Sequence, residues 1–303
     1  MKRNNLRIGS RGSKLALIYA ENVRNKLKNI FPNEITIKKI LTTGDQKQSE
    51  RLSEIGGKGL FATQIEKELI NEDIDIAVHA LKDMPTIQTK NLLTNSFLKR
   101  NSPNEILISK NHIKFEELKP NSVIGTSSYR REYQLKKKRP DLKYKLIRGN
   151  VDTRVKKLED GEYDAILLSK AGVISLNLQN KISQEFTTEE LIPCAGQGII
   201  AIQCRDNDEY IKEILEKVNH NETRIVANAE REVLKILEGD CDTAVGVYAN
   251  INQQKIYLIA ELFSVDGKHR YFMKQIVDKD KILDCSRKLG KQLKLKSKGQ
   301  YKN

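Results

Sequence analysis

The chain has 303 residues, 38% of them hydrophobic, which predicts two or three domains with a sizeable core. No stretch approaches the roughly 20 apolar residues that a membrane helix needs, and no long apolar run follows the basic N-terminal residues. Neither a membrane span nor a secretory signal is therefore predicted, and we expect a cytoplasmic protein. The formal charge of +14 is compatible with an anionic partner or with a lysine-rich surface.

The four cysteines are widely spaced and form no CxxC pair, and the chain has only four histidines. This predicts no metal site and no disulfide framework. Free thiols are typical of a reducing compartment.

The first third alternates short apolar runs with helical patterns. Strands are predicted over 6–9, 35–43 and 73–81, with a helix that Ser13 can cap and another helix over 60–70. The polar, glycine-rich stretch 44–59 is predicted to be a loop. This βαβ order favours a largely parallel sheet with helices on both faces.

A second alternating unit has predicted strands at 105–109, 122–126, 143–147 and 164–169, and the apolar run 199–205 is a further strand. The last part differs: a helix over 222–238, two or three strands within 244–277, a helix over 281–294 and a basic tail expected to fray. The patterns predict an α/β protein with two α/β domains and an appended α+β domain.

Polar side chains follow several predicted strands. Arg11 and Ser13 follow the first strand at a helix start, where free N–H groups favour an anion. Lys82 and Asp83 follow a buried strand, and a cation beside a carboxylate suits binding and proton chemistry. Because ligands of open α/β sheets gather at the carboxyl ends of strands, these residues are candidates for a cleft.

Two strand-to-helix junctions carry arginines. Ser127 or Ser128 can cap the helix that carries Arg130 and Arg131, and Arg148 and Arg154 flank the start of the next helix. Arginine is preferred for paired hydrogen bonds to carboxylates or phosphates, so an anion site is predicted. A nucleic acid remains possible on charge alone, but no nucleic-acid-binding module is recognisable and aromatic residues are only 6% of the chain.

Cys241 lies in a short polar turn between Asp240 and Asp242. Neighbouring carboxylates disfavour a thiolate, so local chemistry predicts a poor nucleophile. The sequence contains no phosphate-binding glycine loop with the required spacing.

In order and spacing, the chain resembles the porphobilinogen deaminase family over almost its whole length. The matching segments are LRIGSRGSKLAL, GGKGLF, DIAVHALKDMP, IGTSSYRR, RPDL, LIRGNVDTR, GEYDAILLSKAG, PCAGQGIIAIQCR, NAERE and LEGDC. The ordered combination of these segments is specific for the family, although each segment alone is weak evidence for it.

The resemblance implies three domains. Domain 1 comprises 1–98 and 199–217, domain 2 comprises 99–198, and domain 3 comprises 218–303. The first two are implied to be periplasmic-binding-protein-like α/β domains with mixed sheets, flanking an active-site cleft. The third is implied to be a small α+β domain that carries the cofactor.

The implied activity is that of a hydroxymethylbilane synthase, a transferase of porphyrin and heme biosynthesis. Four porphobilinogen molecules are deaminated and joined stepwise onto a dipyrromethane cofactor, and water then releases the linear tetrapyrrole. Cys241 is implied to hold the cofactor through a thioether, where a single alkylation by a reactive electrophile removes the objection to its weak nucleophilicity. Asp83 is implied to be the catalytic carboxylate.

The resemblance also implies binding residues for the acetate and propionate groups. Those implied to bind the cofactor, besides Cys241, are Lys82, Asp83, Thr126, Ser128, Arg130, Arg131 and Arg148. Those implied to bind substrate are Arg11, Ser13, Lys58, Arg148 and Arg154. The implied partner is the small molecule porphobilinogen, with no nucleic acid, no membrane and no metal, and the expected state is a monomer.

The sequence departs from the family pattern at Ser175, where an arginine is usual, and nearby Lys170 is a candidate substitute. Asp240 and Asp242 also replace the common residues beside the cysteine. An alternative interpretation is a non-catalytic anion-binding protein of the same two-domain architecture, which predicts an unmodified Cys241.

Overall fold

The computed structural model describes residues 4–42, 59, 61–239 and 243–302. Their contacts divide the chain into two compact units. Within the described residues, the first contains 4–42, 59–101 and 199–225, and the second contains 102–198 and 226–302. Apart from 99–101 and 218–225, which belong to the first unit, the described residues of predicted domains 2 and 3 fall in the second unit. The division into three domains stays a prediction.

The first unit is built on a five-stranded mixed sheet. Its strands are β1 (Asn5–Arg11), β2 (Glu34–Ile40), β3 (Ile76–Ala80), β4 (Leu92–Phe97) and β10 (Ile200–Arg205). Their order across the sheet is β2-β1-β3-β10-β4. β1 runs parallel to β2 and β3, whereas β10 is antiparallel to β3 and β4. Its helices are α1 (Lys14–Leu27), α2 (Thr63–Ile70) and α6 (Glu209–Val218). Apolar residues of β1, β3, β10, α1 and α6 form a shared core.

The second unit contains a five-stranded mixed sheet. Its strands are β5 (Glu105–Ser109), β6 (Val123–Gly125), β7 (Lys143–Lys145), β8 (Ala165–Ser169) and β9 (Gln184–Phe186). Their order across the sheet is β7-β6-β8-β5-β9. β6 is parallel to β7 and β8, and β5 is antiparallel to β8 and β9. The helices of this part are α3 (Tyr129–Lys138), α4 (Val151–Glu159) and α5 (Lys170–Ser175). Separate apolar clusters pack against the sheet.

A three-stranded antiparallel sheet completes the second unit. Its strands are β11 (Val245–Asn252), β12 (Lys255–Phe263) and β13 (Arg270–Asp278), and α8 (Ile282–Ser297) packs on β12 and β13. The preceding helix is α7 (Asn221–Leu237), whose residues from 226 onward belong to this unit.

The predicted α/β class with mixed sheets and a small α+β part is confirmed by these three sheets. The prediction of a largely parallel sheet, made from the βαβ pattern alone, was wrong, because β10 lies antiparallel between β3 and β4. The prediction that the basic tail frays was also wrong, because Tyr301 is buried and its hydroxyl donates a hydrogen bond to Leu237 O at 3.0 Å. No helix among the described residues is long and apolar enough to cross a membrane.

Candidate active site

In the first unit, the end of β1 presents Arg11 and Ser13. Ser13 caps α1, and its side-chain oxygen accepts a hydrogen bond from Ala16 N at 3.3 Å. The Arg11 guanidinium lies 3.9 Å from the ring centre of Phe61, within cation–π range. The ring supports one face of the guanidinium.

The end of β3 presents Lys82 and Asp83. β3 is buried and leads into a single 3₁₀ turn, Leu81–Asp83. Leu81 anchors this turn, since its side chain is buried and its N–H donates to Ile199 O at 3.0 Å. Lys82 is then half-buried and Asp83 exposed.

Arg11, Ser13 and Asp83 line one pocket, together with Phe61 and His79. They meet because β1 and β3 are parallel neighbours, so the residues that follow them emerge at the same edge. The pocket therefore combines a cation, a hydroxyl and a carboxylate. This arrangement suits a small ligand that bears both acidic groups and N–H donors.

His79 and Phe61 are pocket residues that the sequence reasoning did not nominate. Burial lowers the pKa of His79 to about 4, against the opposing effects of Glu66, Gln203 and Asp83. The ring is therefore neutral at neutral pH. The sequence feature that could have identified His79 is its position, since it lies four residues before Asp83 in a strand otherwise composed of Ile, Ala and Val.

In the second unit, β6 leads into α3 through the predicted polar segment. Thr126 is buried, and its hydroxyl accepts from Ser128 N at 3.2 Å. Ser128 caps α3 by accepting from Arg131 N at 3.4 Å. The segment is thus held by its own hydroxyl groups at a helix N-terminus, where an anion is favoured.

Arg130 and Arg131 are both buried and both pair with Glu105, the first residue of β5. Nη2 of Arg130 lies 2.5 Å from Oε1 of Glu105, and Nη2 of Arg131 lies 2.7 Å from its Oε2. Burial lowers the pKa of Arg130, but the Glu105 charge raises it and the net direction is upward. Sequence reasoning missed Glu105, although a carboxylate opening an otherwise apolar, fully buried strand was a visible signal.

Arg148 and Arg154 lie around the start of α4. Arg148 is buried, and Nε of Arg154 donates to Gly149 O at 2.8 Å, which closes the turn between them. Gly149 has φ +109°, a left-handed conformation that favours glycine. The turn thereby brings both arginines to one junction.

Other predicted residues stand apart or lie outside the described residues. Lys58, Cys241, Asp240 and Asp242 are outside them. Lys170 forms an ion pair with Glu185, and Ser175 donates to Ala171 O at 2.8 Å within its own helix.

The fold and these sites define an α/β protein suited to a small, carboxylate-rich molecule. A family model described as "Porphobilinogen deaminase, dipyromethane cofactor binding domain" matches residues 6–213. A second, "Porphobilinogen deaminase, C-terminal domain", matches residues 225–296. The chain belongs to the porphobilinogen deaminase family.

Relatives named porphobilinogen deaminase are similar over most of their length. The protein of Chlorobium phaeovibrioides is 43% identical over 261 residues, covering 86% of this chain and 83% of the relative. That of Bacillus subtilis is 42% identical over 266 residues, covering 87% and 85%. Among solved structures, a putative methionine-binding lipoprotein of B. subtilis has a TM-score of 0.45 at 12% identity, covering 73% of this chain and 92% of that one.

Family membership confirms the resemblance predicted from the motifs. It also confirms a transferase of the hydroxymethylbilane synthase type with a dipyrromethane cofactor. The interpretation as a non-catalytic anion-binding protein is not favoured.

The second unit fits a cofactor that bears carboxylates. Arg130 and Arg131 supply two positive charges against the single negative charge of Glu105. In addition, Nε of Arg131 is buried and has no hydrogen-bond partner among the described residues. A carboxylate of a bound group would satisfy this donor and the excess charge.

Proposed function

We propose that the chain is a cytoplasmic, monomeric hydroxymethylbilane synthase whose substrate is held by the pocket of Arg11, Ser13 and Asp83. The substrate is the small molecule porphobilinogen, and neither a nucleic acid nor a membrane takes part. The observation that carries the proposal is the meeting of these three side chains at one sheet edge in a chain of this family.

Asp83 is the proposed catalytic residue. Its exposed carboxylate accepts hydrogen bonds from pyrrole N–H groups and stabilises the positive charge that develops on the ring as ammonia departs. Lys82 in the same turn neutralises a carboxylate of the ligand.

Different basic and hydroxyl-bearing residues bind the carboxylates of the substrate and those of the cofactor as the product grows. Arg11, Ser13 and Lys58 bind those of the incoming substrate, joined by Arg148 and Arg154. The proposed cofactor contacts, besides Lys82 and Asp83, are Thr126, Ser128, Arg130, Arg131 and Arg148. This assignment rests on the burial of Arg130, Arg131 and Arg148 and on the charge excess at Glu105.

Cys241 is the proposed attachment residue for dipyrromethane. When bound, this group supplies the nucleophilic pyrrole carbon on which the chain of pyrroles grows.

The test is the intact mass of the purified protein, with peptide mapping around Cys241. We expect a mass increase equal to two linked pyrroles on that cysteine, and one further pyrrole unit for each porphobilinogen added. A cysteine that stays unmodified after incubation with porphobilinogen or hydroxymethylbilane would contradict the proposal.

Replacing Asp83 tests its catalytic role. We expect Asp83→Asn to lower kcat by roughly 10²- to 10⁴-fold, because the amide cannot stabilise the developing cation as a charge. Asp73→Asn is the matched control, since Asp73 is also an exposed aspartate of the first unit but does not line the pocket. Equal rates for the two variants would remove Asp83 from the chemistry.

A further inference from the structure

Three linked hydrogen bonds, the last two of them buried, run from Thr89 to His79, which lines the substrate pocket. Thr89 Oγ1 donates to Glu66 Oε2 at 2.7 Å, and Gln203 Nε2 donates to Glu66 Oε1 at 2.9 Å. Gln203 Oε1 then lies 3.2 Å from Nε2 of His79. Glu66, Gln203 and His79 are all at most 8% exposed.

These linked hydrogen bonds determine which nitrogen of the His79 ring carries the proton. Each oxygen of the Glu66 carboxylate receives a donor, so the amide nitrogen of Gln203 faces Glu66 and its carbonyl oxygen faces His79. A carbonyl oxygen can only accept, so Nε2 of the neutral ring must be the donor. Nδ1 is left with a lone pair.

No second hydrogen bond to the His79 ring is found among the described residues, and His79 is one of the residues that line the pocket together with Asp83. The residues of the pocket thus include two hydrogen-bond acceptors of different charge, the carboxylate of Asp83 and the neutral imidazole of His79. Burial lowers the pKa of His79 to about 4, which keeps the imidazole uncharged near neutral pH.

We propose that Nδ1 of His79 accepts a hydrogen bond from the ammonium nitrogen of the substrate's aminomethyl group and keeps this bond while that nitrogen leaves as ammonia. This rests on the proposed function. In the step, the carbon–nitrogen bond breaks and its electron pair goes to the nitrogen, so that the ammonium group departs as neutral ammonia. The pyrrole ring supplies the electron pair that forms a double bond to the remaining methylene carbon, and the lone pair of the pyrrole nitrogen shifts into the ring, so that the positive charge passes to that nitrogen.

A neutral acceptor suits this leaving group better than a second carboxylate. A carboxylate would hold the ammonium cation more strongly than ammonia and would raise the barrier to departure. A neutral imidazole nitrogen can keep a hydrogen bond to the leaving group before and after the charge is lost, while Asp83 stabilises the charge that moves to the pyrrole.

The tautomer can be measured without any turnover. In holoenzyme carrying ¹⁵N-labelled histidine, only four histidines contribute signals, and His79→Asn identifies that of His79. We expect a neutral ring protonated on Nε2 at pH 7. In Gln203→Leu, which removes the partner of Nε2, we expect loss of this strict preference. A ring protonated on Nδ1 in the wild type would overturn the proposal.

Two substitutions separate the acceptor from a structural role. His79→Leu removes both nitrogens, whereas His79→Asn keeps a polar atom near the position of Nδ1 but loses the link to Gln203. We expect His79→Leu to slow single-turnover ammonia release by roughly 10- to 100-fold, and His79→Asn to restore a substantial part of that rate.

Equal rates for the two variants and the wild type would overturn the proposal, as would equal losses in both variants. The dipyrromethane mass of each variant is measured first. If the wild type carries the cofactor and releases ammonia but the variants do not differ, the His79 proposal fails and the proposed function stands. If the wild type releases no ammonia, the proposed function itself fails, while the tautomer is still decided by the spectrum.

Discussion

Glu105 is the residue whose charge organises the second unit's site. Its carboxylate is fully buried between two guanidiniums, at 2.5 and 2.7 Å. Glu105→Gln keeps the shape but leaves two buried cations without their anion. We expect a loss of about 3–5 kcal/mol in the free energy of unfolding, measured by urea denaturation.

The matched control for this change is Glu185→Gln on the adjacent strand β9. Glu185 is exposed and pairs with Lys170, so its loss should cost less than about 1 kcal/mol. If the Glu105 variant were as stable as this control, Glu105 would not be the essential counter-charge.

His79 gives the stability a specific pH dependence. Its pKa is about 4 in the folded protein and 6.5 ordinarily. Between these values the unfolded chain binds more protons, so stability is lost as pH falls from about 6.5 toward 4. From pH 7 to pH 4.5 we expect wild type to lose about 2 kcal/mol more than His79→Asn, measured by urea denaturation at each pH. A parallel decline in the two proteins would show that His79 is not buried in its neutral form.

At the scale of elements, short turns after buried strands decide where polar groups emerge. β3 and the turn Leu81–Asp83 place Asp83, while β1 and the Ser13 cap place Arg11. The strand ends were readable as alternation of apolar and polar residues. The antiparallel entry of β10 was not, because strand direction depends on where the chain returns and not on the strand's own sequence.

The end of α8 shows that a basic tail can be structural. Tyr301 is 4% exposed and bonds to Leu237 O, and Gln300 O accepts from Val265 N at 2.8 Å. We expect Tyr301→Ala to lower the free energy of unfolding by about 3 kcal/mol, and Tyr301→Phe by about 1 kcal/mol. Leu295→Ala is the control, since Leu295 is 76% exposed and its loss should change stability by less than about 0.5 kcal/mol. A Tyr301→Ala protein as stable as this control would mean that the tail is frayed in solution.

At the scale of the whole molecule, the first unit depends on a late part of the chain. β10 lies between β3 and β4, so residues after 198 supply an interior strand of its sheet. We expect a fragment of residues 1–198 to leave the first unit unfolded, and a fragment of 1–225 to restore its protected amides in hydrogen exchange. Equal protection of the first unit in both fragments would show that β10 is dispensable.

The sequence by itself determined the family, the α/β class and the polar residues at the strand ends, because motifs and apolar periodicity are local properties. The β5 strand at 105–109, for example, has the bounds that its apolar run predicts. Only the tertiary structure decided that Glu105 pairs with both Arg130 and Arg131, and that Glu66 and Gln203 orient His79. The paired residues lie 25 to 137 positions apart along the chain, so no local pattern records their contact.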